Sequence, residues 1–156
     1  MKFFLTSLTF ILLFSSCADK TAFSRFEMSK EQELTASSLQ SSKIVSGEKV
    51  DGSFSAIYLN EIYPSSMSEY ESFYVSLFLK QDKENFKIRL NSKLPLSIEK
   101  LPHANEFSHL ALVENEWNNY YLVTFEKDVQ TKAQLSLQLE SGLSSRAVLI
   151  YQKDEQ

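Results

Sequence analysis

From Lys43 onward the apolar positions recur every second residue, the period of a half-buried strand. Phe54, Ala56, Tyr58 and Asn60 alternate with Ser55, Ile57, Leu59 and Glu61, and both sets carry apolar residues, as in a centrally paired strand. A hairpin is expected around Ser46-Gly47-Glu48, between Ile44 and Val50, and Tyr63-Pro64-Ser65-Ser66 has the chemistry of a turn. The clearest strand runs from Tyr70 to Lys80, with Phe73, Val75, Leu77 and Leu79 on one face and Tyr74, Ser76 and Phe78 on the other. Gln81 to Asn85 is a charged turn. Phe86, Ile88 and Leu90 then alternate with Lys87, Arg89 and Asn91. Asn91-Ser92-Lys93 turns the chain, and Leu94, Leu96 and Ile98 are expected to return as the partner of that strand. Further strands are expected over Phe107–Val113, Trp117–Phe125, Leu135–Leu139 and Ala147–Tyr151, with a turn at Ser141-Gly142.

Only one short segment departs from this period. Ser29 can cap a helix beginning at Lys30, with Gln32 placed to complete a capping box. A short N-terminal helix near residues 30–38 or an irregular lead-in both fit. The fold class that follows is mainly β, with about eight or nine strands and turn signals every few residues. It is an antiparallel β-sandwich of immunoglobulin-like architecture, or a small barrel.

The first residues follow a different rule. Lys2 precedes the apolar stretch Phe3–Phe14, which is too short for the roughly 20 residues that span a bilayer. A charged start, a short apolar core and then small residues read as a secretory signal. The stretch Leu13-Phe14-Ser15-Ser16-Cys17 resembles the bacterial lipoprotein signal, whose lipobox ends in a cysteine. That resemblance implies lipidation of the Cys17 thiol, cleavage before it and acylation of the new N-terminus. Ordinary signal cleavage after Ala18 is the alternative. The expected organisation is a signal peptide over residues 1–16, a lipidated N-terminus and tether over 17–28, a single mostly-β domain over 29–152 and a tail over 153–156. With Ala18 rather than Asp after the cysteine, the lipoprotein sorting pattern implies the outer membrane over the inner.

Composition narrows the chemistry. Cys17 is the one cysteine, which excludes an internal disulfide, a CxxC redox pair and a cysteine-built zinc site. The chain carries a net charge of −4, one unit more negative without Lys2, and has no basic tract of the kind that aims several cations at phosphates. Nucleic acid is not an expected partner. Three glycines, none clustered, exclude a glycine-rich phosphate loop.

Candidate sites are few. His103, Glu106 and His109 form an H-x₂-E-x₂-H run to which Glu114 could add, but six residues and Pro102 keep the histidines off one helical face. They read as one loop and one strand histidine rather than as metal ligands. The carboxylate pairs Asp82/Glu84 and Glu114/Glu116 fall in expected turns and read as solvated charge. No G-x-S-x-G elbow marks a serine nucleophile. No metal, cofactor or catalytic residue is expected, and the chain reads as a non-enzyme. Tyr63, Tyr70, Trp117 and Tyr120 lie at expected strand ends, where a binding patch would be sought first. The leading expectation is a lipid-anchored envelope accessory protein, held to the membrane through Cys17 and binding another envelope protein. A small-ligand-binding lipoprotein is the runner-up, and an enzyme third.

Overall fold

The computed structural model describes residues 29–80, 85–110, 115–127 and 134–153. The chain is mainly β. Its described elements are α1 (Lys30–Ser38), β1 (Leu39–Ser46), β2 (Lys49–Tyr58), α2 (Leu59–Ile62), β3 (Tyr70–Leu79), β4 (Phe86–Leu90), β5 (Ser97–Leu101), a 3₁₀ turn (Ser108–Leu110), β6 (Asn119–Glu126), β7 (Gln134–Ser141) and β8 (Ser145–Gln152). The strands form a single eight-stranded sheet in the order β4-β7-β8-β1-β2-β3-β6-β5, with antiparallel neighbours throughout. The sandwich-or-barrel alternative therefore resolves to one curled sheet.

The curl follows from chain length. Seven spacings of roughly 4.8 Å would set the edges of a flat eight-stranded sheet about 34 Å apart. The chain passes from Leu90 at one edge to Ser97 at the other, seven Cα steps that reach at most about 25 Å. The edges must therefore bend toward one another. The rings of Phe86 on edge strand β4 and Tyr121 on β6 meet with centroids 5.3 Å apart.

The enclosed face gathers one apolar core, to which β1, β2, β3, β4, β6, β7 and β8 all contribute. Phe54, Phe73, Phe125, Leu77, Ile88, Leu137 and Leu139 have almost no exposed surface. A second, smaller core lies on the opposite face of β2, β3 and β6. There Ile57, Tyr74 and Tyr120 pack with Leu59 and Ile62 of α2 and with Phe107 and Leu110, while Leu34 and Leu39 join from α1 and the start of β1. This explains why both faces of residues 54–59 carry apolar side chains.

α1 forms as its cap chemistry dictates. Gln32 N–H donates to Ser29 Oγ, and Ser29 N–H donates to Gln32 Oε1, so two orphan amides at the helix start are satisfied. Its far end is fixed by Ser38, whose hydroxyl donates to the Tyr58 carbonyl and accepts from the Tyr58 amide. The β1–β2 hairpin closes through Gly47-Glu48, with Gly47 at φ +60°. That is the first central position of a two-residue turn, where primed turns need a positive φ.

Three sequence expectations change. The strand expected to continue to Glu61 stops at Tyr58, and Leu59–Ile62 is a helical turn. Asn60 drives the switch: its side-chain amide donates to the carbonyls of Met67 and Tyr70, and its Oδ1 accepts from the Ser72 amide, folding the chain back toward β3. Next, Leu94, Leu96 and Ile98 do not return beside β4. Asn91 and Ser92 both take positive φ, and Asn91 binds β7 through its amide to the Ser136 carbonyl and its Oδ1 to the Ser136 amide. Pro95 interrupts the donors that a returning strand would need. Residues 97–101 instead pair with β6 at the opposite edge. Finally, the strand expected from Phe107 is at its start a 3₁₀ turn; its remainder, 111–114, lies outside the described residues.

Candidate functional site

Cys17 lies outside the described residues, as do Asp82, Glu84 and Glu114. Among the described residues no helix is long and apolar enough to cross a membrane.

The four candidate aromatics do not converge. Tyr70 opens β3 opposite Glu126, whereas Trp117 precedes β6 at the other end of the same strand pair, beyond the Leu77–Asn119 pairing. Seven residues of strand, about 24 Å, separate those ends. Trp117 is 78 % exposed. Tyr120 is buried: its ring stacks on Tyr74 with centroids 5.8 Å apart, and its hydroxyl bonds the main chain of Asn115. It belongs to the second core because α2 and the 3₁₀ turn cover the outer face of β6, an arrangement that alternation along one strand does not reveal. The structure thus removes Tyr120 from the surface.

Tyr63 does join a polar cluster, with partners that sequence spacing did not suggest. Its hydroxyl lies 2.6 Å from Glu31 Oε1 on α1 and 3.0 Å from His109 Nε2 on the 3₁₀ turn, and His109 Nε2 is 3.2 Å from the same Glu31 oxygen. The phenol has one proton, and it goes to the carboxylate. The imidazole Nε2 must then carry the proton that faces both oxygens. His103 sits elsewhere, edge-on to the Tyr120 ring at 5.6 Å. The two histidines thus serve different elements, as their spacing implied. Among the described residues no group of three His, Cys, Asp or Glu side chains is placed to hold a metal ion.

These contacts tie α1, the element next to the expected tether, to the body of the domain. Burial, and then the bond to Glu31, push the Tyr63 phenol up to about 12. The Glu31 carboxyl is held below its ordinary value, first by the Tyr63 hydroxyl and then by His109. A carboxyl depressed in the folded state stabilises it above the ordinary carboxylate range, and that contribution is lost as pH falls through the depressed value. In Tyr63→Phe, the titration midpoint of Glu31 followed by carboxyl NMR is expected to rise toward the ordinary range. An unchanged midpoint would mean that the phenol contact does not form in solution.

A second polar cluster lies inside the curl. Glu71 shares its strand face with Phe73, Val75 and Leu77 and is 1 % exposed. Its Oε2 accepts the Tyr58 hydroxyl, and its Oε1 contacts Nζ of Lys153, whose side chain is 18 % exposed. Burial, and then the bond to Glu71, raise the Tyr58 phenol above the ordinary tyrosine range. Nearby, Tyr151, its phenol also raised by burial, donates its hydroxyl to the Ala56 carbonyl at 2.7 Å and so ties β8 to β2. The sequence pattern assigns Lys153 to the tail, but this contact makes it part of the domain. Glu71 carries a signal in the sequence: it is the one charged residue on the inward parity of the strand starting at Tyr70. No protein family, curated protein or solved structure matches this chain.

Proposed function

We propose that the chain is a lipid-anchored accessory domain of the bacterial envelope that holds another envelope protein near the membrane. The lipoprotein-like signal ending at Cys17 supports the anchor. The observation that carries partner binding is edge strand β5. It is bonded to β6 on one side only, and Leu94 and Leu96 beside it are 63 % and 59 % exposed. Ile98 sits on the strand opposite the buried Val123, yet is itself exposed. An open edge with apolar side chains beside it suits the addition of a partner's extended segment: backbone groups supply affinity and side-chain pockets supply selectivity. The inner face supports this reading over a small-ligand carrier, because its side chains fill the space they enclose. Anchoring adds to weak edge binding by confining both partners to a thin layer, which raises their effective concentration.

A photo-crosslinking residue at Leu96 is expected to capture the same envelope protein reproducibly in intact cells. Cys17→Ser should release the domain from the membrane fraction and abolish that crosslink. Membrane association unchanged in Cys17→Ser would refute the anchor, and an absence of any reproducible crosslink from Leu96 would refute the edge.

A further inference from the structure

The Glu71 and Lys153 pair is placed for a reaction as well as for attraction. A carboxylate sealed from solvent touches a primary amine, and a phenol O–H is already bonded to the other carboxylate oxygen. The Tyr58 ring packs on Phe73 at 5.0 Å and on Tyr151 at 6.0 Å, so the carboxylate's hydroxyl partner is set among aromatic rings rather than in water. Separated charges are poorly solvated in such surroundings. We propose that Lys153 and Glu71 condense into an intramolecular amide, a covalent staple between β3 and the chain just beyond β8.

The atoms balance without any co-reactant. A proton passes from the Lys153 ammonium to Glu71 Oε1, leaving a neutral amine against a carboxylic acid. Nζ attacks the carboxyl carbon, and a C–N bond forms. The negative charge that develops on Oε2 meets the Tyr58 hydroxyl, a donor already in position where charge appears in the transition state. A second ammonium proton moves to Oε1, the bond from carbon to Oε1 breaks, and water leaves. The third proton stays on the amide nitrogen. Lysine is a competent nucleophile when it is held dry and close to its target. Scarce water around the carboxyl group also slows the reverse hydrolysis.

The position suits a staple. Glu71 and Lys153 are 82 residues apart, on strands that do not adjoin: β1 and β2 lie between β8 and β3. β8 meets β1 through the paired residues Val45 and Arg146 near its beginning, so a bond at Lys153 fastens the opposite end. A crosslink that closes so long a loop removes much of the freedom of the unfolded chain. With Cys17 its one cysteine, the chain has no internal disulfide to do the same work.

Peptide mapping of the full-length protein purified from its own membranes tests the staple. Expected is a branched peptide that joins the segments holding Glu71 and Lys153, lighter than their sum by one water, with trypsin failing to cut after Lys153. Lys153→Arg should yield linear peptides alone. Tyr58→Phe should accumulate the branched peptide at least tenfold more slowly after refolding. Recovery of linear peptides alone from folded wild-type protein, with cleavage after Lys153, overturns the proposal. Formation in Tyr58→Phe at the wild-type rate overturns the part given to the phenol.

Discussion

Gly52→Ala is expected to cost at least about 3 kcal/mol and to leave little folded protein at growth temperature, because overpacking a rigid site has no inexpensive relief. Gly52 sits in β2, between Ile44 of β1 and Leu79 of β3. A methyl group built there would stand 2.0 Å from the carbonyl oxygen of Phe78, with the carbonyl carbon and Leu79 Cα at 3.1 and 3.2 Å. All three are backbone atoms, so no side chain can swing aside. Relief requires moving β3 away from β2 along a seven-pair ladder that runs from Gly52–Leu79 to Tyr58–Phe73. The β1 side is equally constrained, since the register shift between Ile44 and Val45 falls against this residue. Gly47 is the natural comparison. An added methyl there meets nothing within 4 Å, and the cost is confined to its positive φ. Urea denaturation followed by circular dichroism should show Gly52→Ala largely unfolded without denaturant and Gly47→Ala folded with a modestly lowered midpoint. A Gly52→Ala midpoint within error of wild type would mean that the β2–β3 approach is looser in solution.

The contrast between those glycines was hidden in the sequence, and the reason is general to this fold. Local chemistry was legible: the Ser29/Gln32 capping box, the Gly47 turn and the inward parity of Phe73, Val75 and Leu77 all depend on residues a few positions apart. Which strands neighbour one another was not. The path from β4 to the far edge depends on Asn91 bonding to Ser136, a contact spanning 45 positions. The same holds for the polar sites. Glu31, Tyr63 and His109 come from three separate segments, and no spacing rule joins them. Glu71 was visible by parity, yet its partners Tyr58 and Lys153 become neighbours only once the sheet curls. Tyr120 shows the converse: alternation put it on the outer face of β6, but only the folded chain shows that face to be covered by a second core.

The curl itself depends on aromatic packing, and Phe73→Ala is the substitution that tests it. Phe73 has no exposed surface, and its ring meets Tyr58 of β2 at 5.0 Å, Tyr151 of β8 at 5.4 Å and Phe125 of β6 at 6.0 Å, the last nearly edge-on. One side chain therefore touches strands from both limbs of the curled sheet. Truncating a fully buried phenylalanine removes its transfer free energy and leaves a cavity, together costing about 3–5 kcal/mol. The upper part of that range is expected at Phe73, because the surrounding rings are held by hydrogen bonds, Tyr151 to Ala56 and Tyr58 to Glu71, and cannot collapse into the space without breaking them. Edge-to-face and tilted ring contacts add a further ~0.5–1.5 kcal/mol each beyond buried area. In a domain of this size each kcal/mol lowers the melting midpoint by roughly 3–4 °C, so a fall of more than about 10 °C is expected. Leu143→Ala, at a fully exposed turn, is the matched control and should leave the midpoint unchanged. A Phe73→Ala protein that melts within about 3 °C of wild type would show that the two limbs are held together by contacts other than this ring cluster.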